Sequence, residues 1–401
     1  MTMPSMAGAA GGQGGTSAFA SPIGQDRLVR KEVSLGAIRD IQPPQGHIGL
    51  SSIAPFLDVE SDDVIFDYLK GGLQDGLAPA RAEDSEAELS QKDLLTYGQG
   101  RAAIIDWSLA DRYTASDVSR YRQQLLAAQA LQGQSQVPVT LNWAGRAAEE
   151  FAGKVAQDDA MRRRKLDNRL EWMIMQAIQT GQIVYNDGKI KFTVNYGRPA
   201  GQQDQAPASG LYSTTTFDPI GDLIAVNDFM YNLYGVRLYR AICSQKVFNT
   251  FWKSNRFISM TGLVVGGTPS SPIDMNYLMA GQWGPQAAVD IVERATGIKF
   301  EVYDSVYRTR PIGGQTFTNN RFLADDRIFL LPTPDQLSEV DNTKVGFAKT
   351  LTSPHPEGNW SSGYYEWEEE TRNPWMQVRG TGIKAFPIFP YMQYTYVMKV
   401  L

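Results

Sequence analysis

The spacing of apolar positions along this 401-residue chain changes several times, and each change predicts a change of element. Residues 51–69 carry Ile53, Phe56, Leu57, Val64, Ile65 and Phe66 in short runs that predict strands. A polar, glycine-marked stretch follows at 70–93, with Gly71, Gly72 and Gly76 and then the acidic run Glu83, Asp84, Glu86 and Glu88. Strand-like content resumes around Ile104 and Ile105. Two such flanks about a polar tip predict a long protruding β-hairpin, since compact domains rarely keep so long an excursion without a use for it.

Helical spacing comes next. Thr114 with Asp117 three residues on resembles a capping box, and Val118, Tyr121, Leu125, Ala128 and Leu131 continue at helical spacing to Gly133. The longest predicted helix covers about 146–180. Its stripe is Leu166, Leu170, Met173, Ile174, Ala177 and Ile178, Gly181 ends it, and a basic block, Arg162, Arg163, Arg164 and Lys165, lies midway. QIVYNDGKIKFTVNYG then reads as a hairpin turning at Asn186-Asp187-Gly188, with Ile190, Phe192 and Val194 alternating. Residues 198–210 are rich in Pro, Gly and Gln and predict a linker.

Beyond the linker the rhythm is α/β. Asp218-Pro219 starts a helix that Gly235 ends, VRLYRAIC predicts a strand, and Ser244 caps a short helix. AAVDIVERATG predicts a helix, while IKFEVYD and DRIFLLP predict strands. Residues 346–401 show few helical signals, and the aromatic-rich IKAFPIFPYMQYTYVMKVL predicts strand.

Composition narrows the class. Charged residues are 20%, net charge is −5, and no basic stripe suits phosphate gripping, so direct nucleic-acid readout is not expected. A single cysteine, Cys243 in a strand-like run, excludes an intrachain disulfide and reads as a buried small hydrophobe. No apolar run is long enough to predict a transmembrane helix, and residues 1–20, rich in Gly, Ala and Ser, predict a flexible arm rather than a secretory signal.

Candidate chemistry is sparse. The two histidines, His47 and His355, lie far apart in Pro-rich loops, and no HExxH, GxSxG or phosphate-loop pattern occurs. The run Glu366, Glu368, Glu369, Glu370 reads as a solvated edge rather than a carboxylate site. No catalytic residue, metal site or cofactor is expected, which favours a structural role over an enzyme.

The ordered set of segments resembles the major capsid proteins of tailed phages with the Hong Kong 97-type fold, the lambda-like major capsid protein E family. It rests on RRRKLDNRLEWMIMQAIQTGQIVYNDGKIKFTVNYG (162–197), TGIKFEVYDSVYR (296–308), FLADDRIFLLP (322–332) and NPWMQVRG…AFPIFPYMQYTYVMKV (373–400). The resemblance implies an α+β subunit: an N-terminal arm (1–50), strands and an extended loop (51–112), a peripheral domain with spine helix and hairpin (113–204), an axial α/β domain (205–340), and a return to the peripheral domain (341–401). It implies hexamers and pentamers in an icosahedral shell around double-stranded DNA, assembled in the bacterial cytoplasm and residing in the virion. It admits scaffold, portal and cement proteins as further partners, with packaged DNA touched non-specifically and no membrane.

One contact follows from the resemblance. The acidic run Glu83, Asp84, Glu86, Glu88 of one subunit is expected over Arg162, Arg163, Arg164 and Lys165 of its neighbour, and two independent solvated patches are the alternative. Two other functions stay open, an encapsulin-like compartment shell of the same fold and a secreted hydrolase or carbohydrate-binding protein suggested by eight tryptophans and eighteen tyrosines.

Overall fold

The computed structural model describes residues 38–39, 46–70, 96–120, 143–187, 190–251, 254, 285–309, 316–333, 337 and 346–401, without 118 and 215. In chain order, β1 is Phe56–Asp58, β2 Asp63–Lys70, β3 Thr96–Ala103 and β4 Asp106–Thr114. A 38-residue helix α1 (Trp143–Thr180) leads into the hairpin β5 (Gln182–Asn186) and β6 (Lys191–Asn195). Then come α2 (Pro219–Tyr234), β7 (Leu238–Cys243), α3 (Gln245–Phe251), α4 (Pro285–Thr296), β8 (Lys299–Val302), β9 (Val306–Thr309), β10 (Thr318–Arg321) and β11 (Arg327–Pro332). The chain ends with β12 (Lys349–Thr352), β13 (Tyr364–Arg372), β14 (Trp375–Ile388) and β15 (Tyr396–Lys399). The architecture is α+β, as expected.

Local chemistry sets the element ends. Asp117 accepts the backbone N–H of Thr114 at 2.9 Å while the Thr114 hydroxyl takes the N–H of Asp117, which is a reciprocal capping box. Asp218 caps α2 by accepting from Gly221 N, Pro219 follows it, and Gly235 closes the helix in the left-handed region at φ 74°. Ser244 Oγ accepts the N–H of Val247 at the start of α3. The Val118–Leu131 stripe and its stop at Gly133 fall outside the described residues beyond position 120, as does the turn residue Gly188.

Two sheets organise the molecule. β14 is the longest strand: β13 and β4 flank its first part, and β12 pairs with its end and with β1. The second sheet has the order β15-β11-β7-β8 and divides two cores. Alternation along β11 sends Phe329 and Leu331 toward the α1 core and Ile328 and Leu330 toward the core of α2, α3 and α4. Buried on both faces, such strands read as continuous apolar runs, which is how RIFLLP reads. Within residues 346–401, β12–β14 build the first sheet, while β15 joins the second beside β11.

Two expectations differ. The 198–210 segment is packed rather than a loose linker. Arg198 donates to the carbonyl of Ile178 at 2.7 Å and to Thr395 Oγ1 at 2.8 Å, Gln202 is buried, and Gln205 exchanges backbone hydrogen bonds with Val397 and Lys399. The Glu366–Glu370 run is only partly a solvated edge. β13 does lie at a sheet edge with Glu369 and Glu370 exposed, yet strand alternation turns Glu366 inward, where it is fully buried, and Glu368 along with it. Arg379 from β14 supplies the counter-charge that makes this burial tolerable.

Candidate assembly site

Helix α1 fastens several distant segments of the chain. Asp159, Arg162, Arg163, Leu166, Asp167, Leu170, Glu171, Ile174 and Ile178 are buried at spacings that place them on one face, and Met173, Met175 and Ala177 are buried beside its C-terminal end. The C-terminal half of that face is apolar, as the sequence indicates. The N-terminal half is charged and just as buried.

Three polar tiers along this face bind three different parts of the chain. In the first, Arg162 pairs with Asp159, donates to Asp111 Oδ2 of β4 at 2.6 Å and reaches Thr381 Oγ1 of β14 at 3.2 Å. Arg379 of β14 extends it, donating to Glu366 and lying 3.9 Å from Asp159 and from Glu368. Burial works against the Arg162 cation, but Asp159, Asp111 and Tyr113 outweigh it and hold its pKa above the ordinary value. Burial likewise pushes the Tyr113 phenol up.

The second tier holds the chain at Ile38. Arg163 donates to the Ile38 carbonyl at 2.6 Å and to Asp167 at 3.0 Å, with its guanidinium 3.3 Å above the centre of the Tyr364 ring. Tyr364 OH donates in turn to Asp167. In the third tier, Glu171 accepts the N–H groups of Gly49 and Leu50 at 3.0 and 2.9 Å and the Tyr303 hydroxyl at 2.8 Å. Burial raises the Glu171 pKa despite these donors.

The basic block therefore splits. Arg162 and Arg163, expected at a surface facing the next subunit, are interior, Arg162 being 1% exposed, because carboxylates of their own chain already occupy them. Arg164 and Lys165 point to solvent. Glu83, Asp84, Glu86 and Glu88 lie outside the described residues, so the structure brings none of them to the block. The hairpin that would carry them is present at its base, where β2 and β3 pair antiparallel from Asp63↔Ala103 to Lys70↔Thr96. Ile65 on this ladder is 63% exposed.

Arg379, Arg198 and Arg39 were not singled out by sequence reading. The signal for Arg379 was present, since inward positions of two paired strands must match in charge. Cys243 is buried, and burial raises its thiol pKa. His47 is buried edge-on to Phe322, and His355 stacks on Tyr365. Among the described residues no group of three or more His, Cys, Asp or Glu side chains is placed to hold a metal ion, and no helix is long and apolar enough to cross a membrane.

One helix thus holds Ile38, Gly49, Leu50, β4 and β14, while the β2–β3 ladder pairs with no other strand among the described residues. The family described as phage major capsid protein E matches residues 35–339. The chain belongs to that family. It is a capsid shell protein, and its place is the virion. No curated protein matches the capsid protein in sequence. Among solved structures it is similar to a prophage capsid protein from E. coli CFT073 at 15% identity, over 76% of this chain and 80% of that one, with a TM-score of 0.45. A phage-related protein from Bordetella bronchiseptica RB50 is similar at 12% identity over 92% and 96%, with a TM-score of 0.46. The holo-encapsulin complex from Synechococcus elongatus PCC 7942 is similar at 10% identity over 90% and 89%, with a TM-score of 0.39.

Proposed function

We propose that this capsid protein closes as hexamers and pentamers into an icosahedral Hong Kong 97-type shell around phage double-stranded DNA, assembled in the host cytoplasm, and that its role is structural rather than catalytic. The family match over residues 35–339 carries the reading. Two features of the fold support it. Among the described residues the β2–β3 ladder pairs with no other strand, and it keeps Ile65 in solvent, as suits an element that finds its partner on another copy. The α1 tiers lock the arm root and the strands beside the ladder to one rigid helix, so that closure orders loops without remaking a core. Electron microscopy of the purified protein tests it: closed shells tens of nanometres across are expected, with nuclease-resistant DNA in shells taken from infected cells. A monodisperse monomer at high concentration overturns it.

The acidic run remains part of this reading, in narrower form. Glu83, Asp84, Glu86 and Glu88 of one copy lie over Arg164 and Lys165 of the next, the two exposed members of the basic block. Scaffold, portal and cement proteins would join such a shell on its surfaces, and packaged DNA would meet an inner face that does not grip it.

A further inference from the structure

The loop between β12 and β13 holds an unusual residue. A single 3-10 turn, Pro356–Gly358, is followed by Asn359 at φ 57° and Trp360 at φ 55°. Asparagine tolerates the left-handed region, whereas a bulky side chain there is an outlier that persists only when the surroundings impose it. Here they do. His355 and Ser361 form an isolated bridge across the loop, and Trp360 N donates to the His355 carbonyl at 3.2 Å. The His355 ring stacks on Tyr365, with centroids 3.9 Å apart and planes at 10°. Arg39 braces the other side, donating to Ser361 Oγ at 2.6 Å, to the Tyr364 carbonyl at 3.1 Å and to the Gly358 carbonyl at 3.4 Å.

All this bracing presents an indole to water. Trp360 is 74% exposed, so its strain is not offset by burial in its own chain. Glycine would take the same backbone conformation without strain. A rigid, strained loop with an unburied Trp at its tip is what a pre-organised contact residue needs, since large aromatic anchors dominate interfaces and rigidity lowers the entropy lost on binding.

We infer that Trp360 is an inter-subunit anchor that packs into a second copy of this chain. This rests on the shell reading above. The partner follows from the chemistry of the tip and from the geometry of a closed shell. The tip around Trp360 (Asn359, Ser361, Ser362) is uncharged, and the nearby cation Arg39 is committed to the loop in three hydrogen bonds, which does not suit phosphate binding. Finally, a shell closes through heterologous contacts, in which an anchor on one face of every copy meets a different face of the next.

The test compares wild type, Trp360→Gly and Trp360→Phe as full-length proteins, scoring shells by electron microscopy and sedimentation and subunit stability by thermal unfolding. Trp360→Gly is expected to keep a subunit midpoint within about 3 °C of wild type yet form about tenfold fewer shells or less, with Trp360→Phe intermediate. In a Glu357→Cys variant, whose new thiol is exposed while Cys243 is buried, maleimide labelling is expected to slow several-fold on assembly. A wild-type chain that stays monomeric sinks the shell reading and this contact with it. Wild-type shells matched by Trp360→Gly shells sink the contact alone, as does equal labelling of the Glu357→Cys thiol in shells and free subunits. A Trp360→Gly subunit that unfolds far below wild type shows the indole holding its own chain and overturns the proposal too.

Discussion

Arg162 and Arg164 stand two positions apart on one helix in opposite environments. Arg162 is enclosed by Asp159, Asp111 and Thr381, while Arg164 faces water. Removing one partner from a buried charge cluster leaves the others without compensation. Arg162→Met should therefore lower unfolding free energy by about 3 kcal/mol or more, and Arg164→Met should change it by no more than about 0.5 kcal/mol, both read from urea denaturation of unassembled subunits. Glu171 gives a pH test. Burial raises its folded pKa above the ordinary 4.5, so the folded chain holds this proton more tightly than the unfolded one. The stability linked to that proton is complete below the ordinary glutamate value and is lost as pH climbs through the raised one. Measured across that window, Glu171→Gln should gain stability relative to wild type as pH rises. A constant difference would mean that Glu171 titrates as it does in the unfolded chain.

At the scale of elements, β13 and β14 meet by an arrangement of rings over glycines. Tyr365 lies opposite Gly382 and Trp367 opposite Gly380. A Cβ on Gly382 would fall 2.4 Å from Tyr365 Cζ, and one on Gly380 would fall 2.2 Å from Trp367 Cε2. Tyr365 is not free to yield, since its hydroxyl holds Asp106 of β4 and its face carries His355. Gly382→Ala should thus cost about 2–3 kcal/mol through overpacking, seen as a lower denaturation midpoint, although alanine is ordinarily the better strand residue. These pairings also show what sequence could reveal. Caps at Thr114, Asp218 and Ser244 were readable because a cap and its target lie within three residues. The inward turn of Glu366 and the packed state of 198–210 were not. Their partners, Arg379, Ile178 and Thr395, come from separate elements, and periodicity within one segment carries no record of them. Arg198 caps the C-terminal carbonyls of α1 from what the sequence presents as a linker, and its burial pushes its pKa down to about 9. The basic block misled for a related reason. Four cations in a row around a helix turn through all its faces, so only part of the row can share one surface.

For the whole molecule, the proposed contact between acidic and basic surface charges can be weighed by its energy. An exposed ion pair is worth only about 0–1 kcal/mol, too little to hold two subunits together but enough to set register when it recurs at every contact of a closed ring. In the proposed ring contacts, which are heterologous, each chain would carry both halves of the proposed pair, acidic at Glu83 and Glu86 and basic at Arg164 and Lys165. A double reversal, Glu83→Lys with Glu86→Lys, opposes cation to cation at each contact and should reduce closed shells while leaving subunit stability unchanged. The effect should weaken as salt is raised and the Debye length falls from about 10 Å at 0.1 M to about 3 Å at 1 M. Adding Arg164→Glu and Lys165→Glu to the same chain restores opposite charge at every contact, so closure should recover. That recovery separates a specific pairing from a general change in net charge. The first reversal moves the chain from −5 by +4 to −1, and the second returns it to −5, whereas the same number of reversals placed elsewhere on the surface would restore the net charge without restoring the shells. Shells that form equally in all the variants would mean that the two patches are solvated independently.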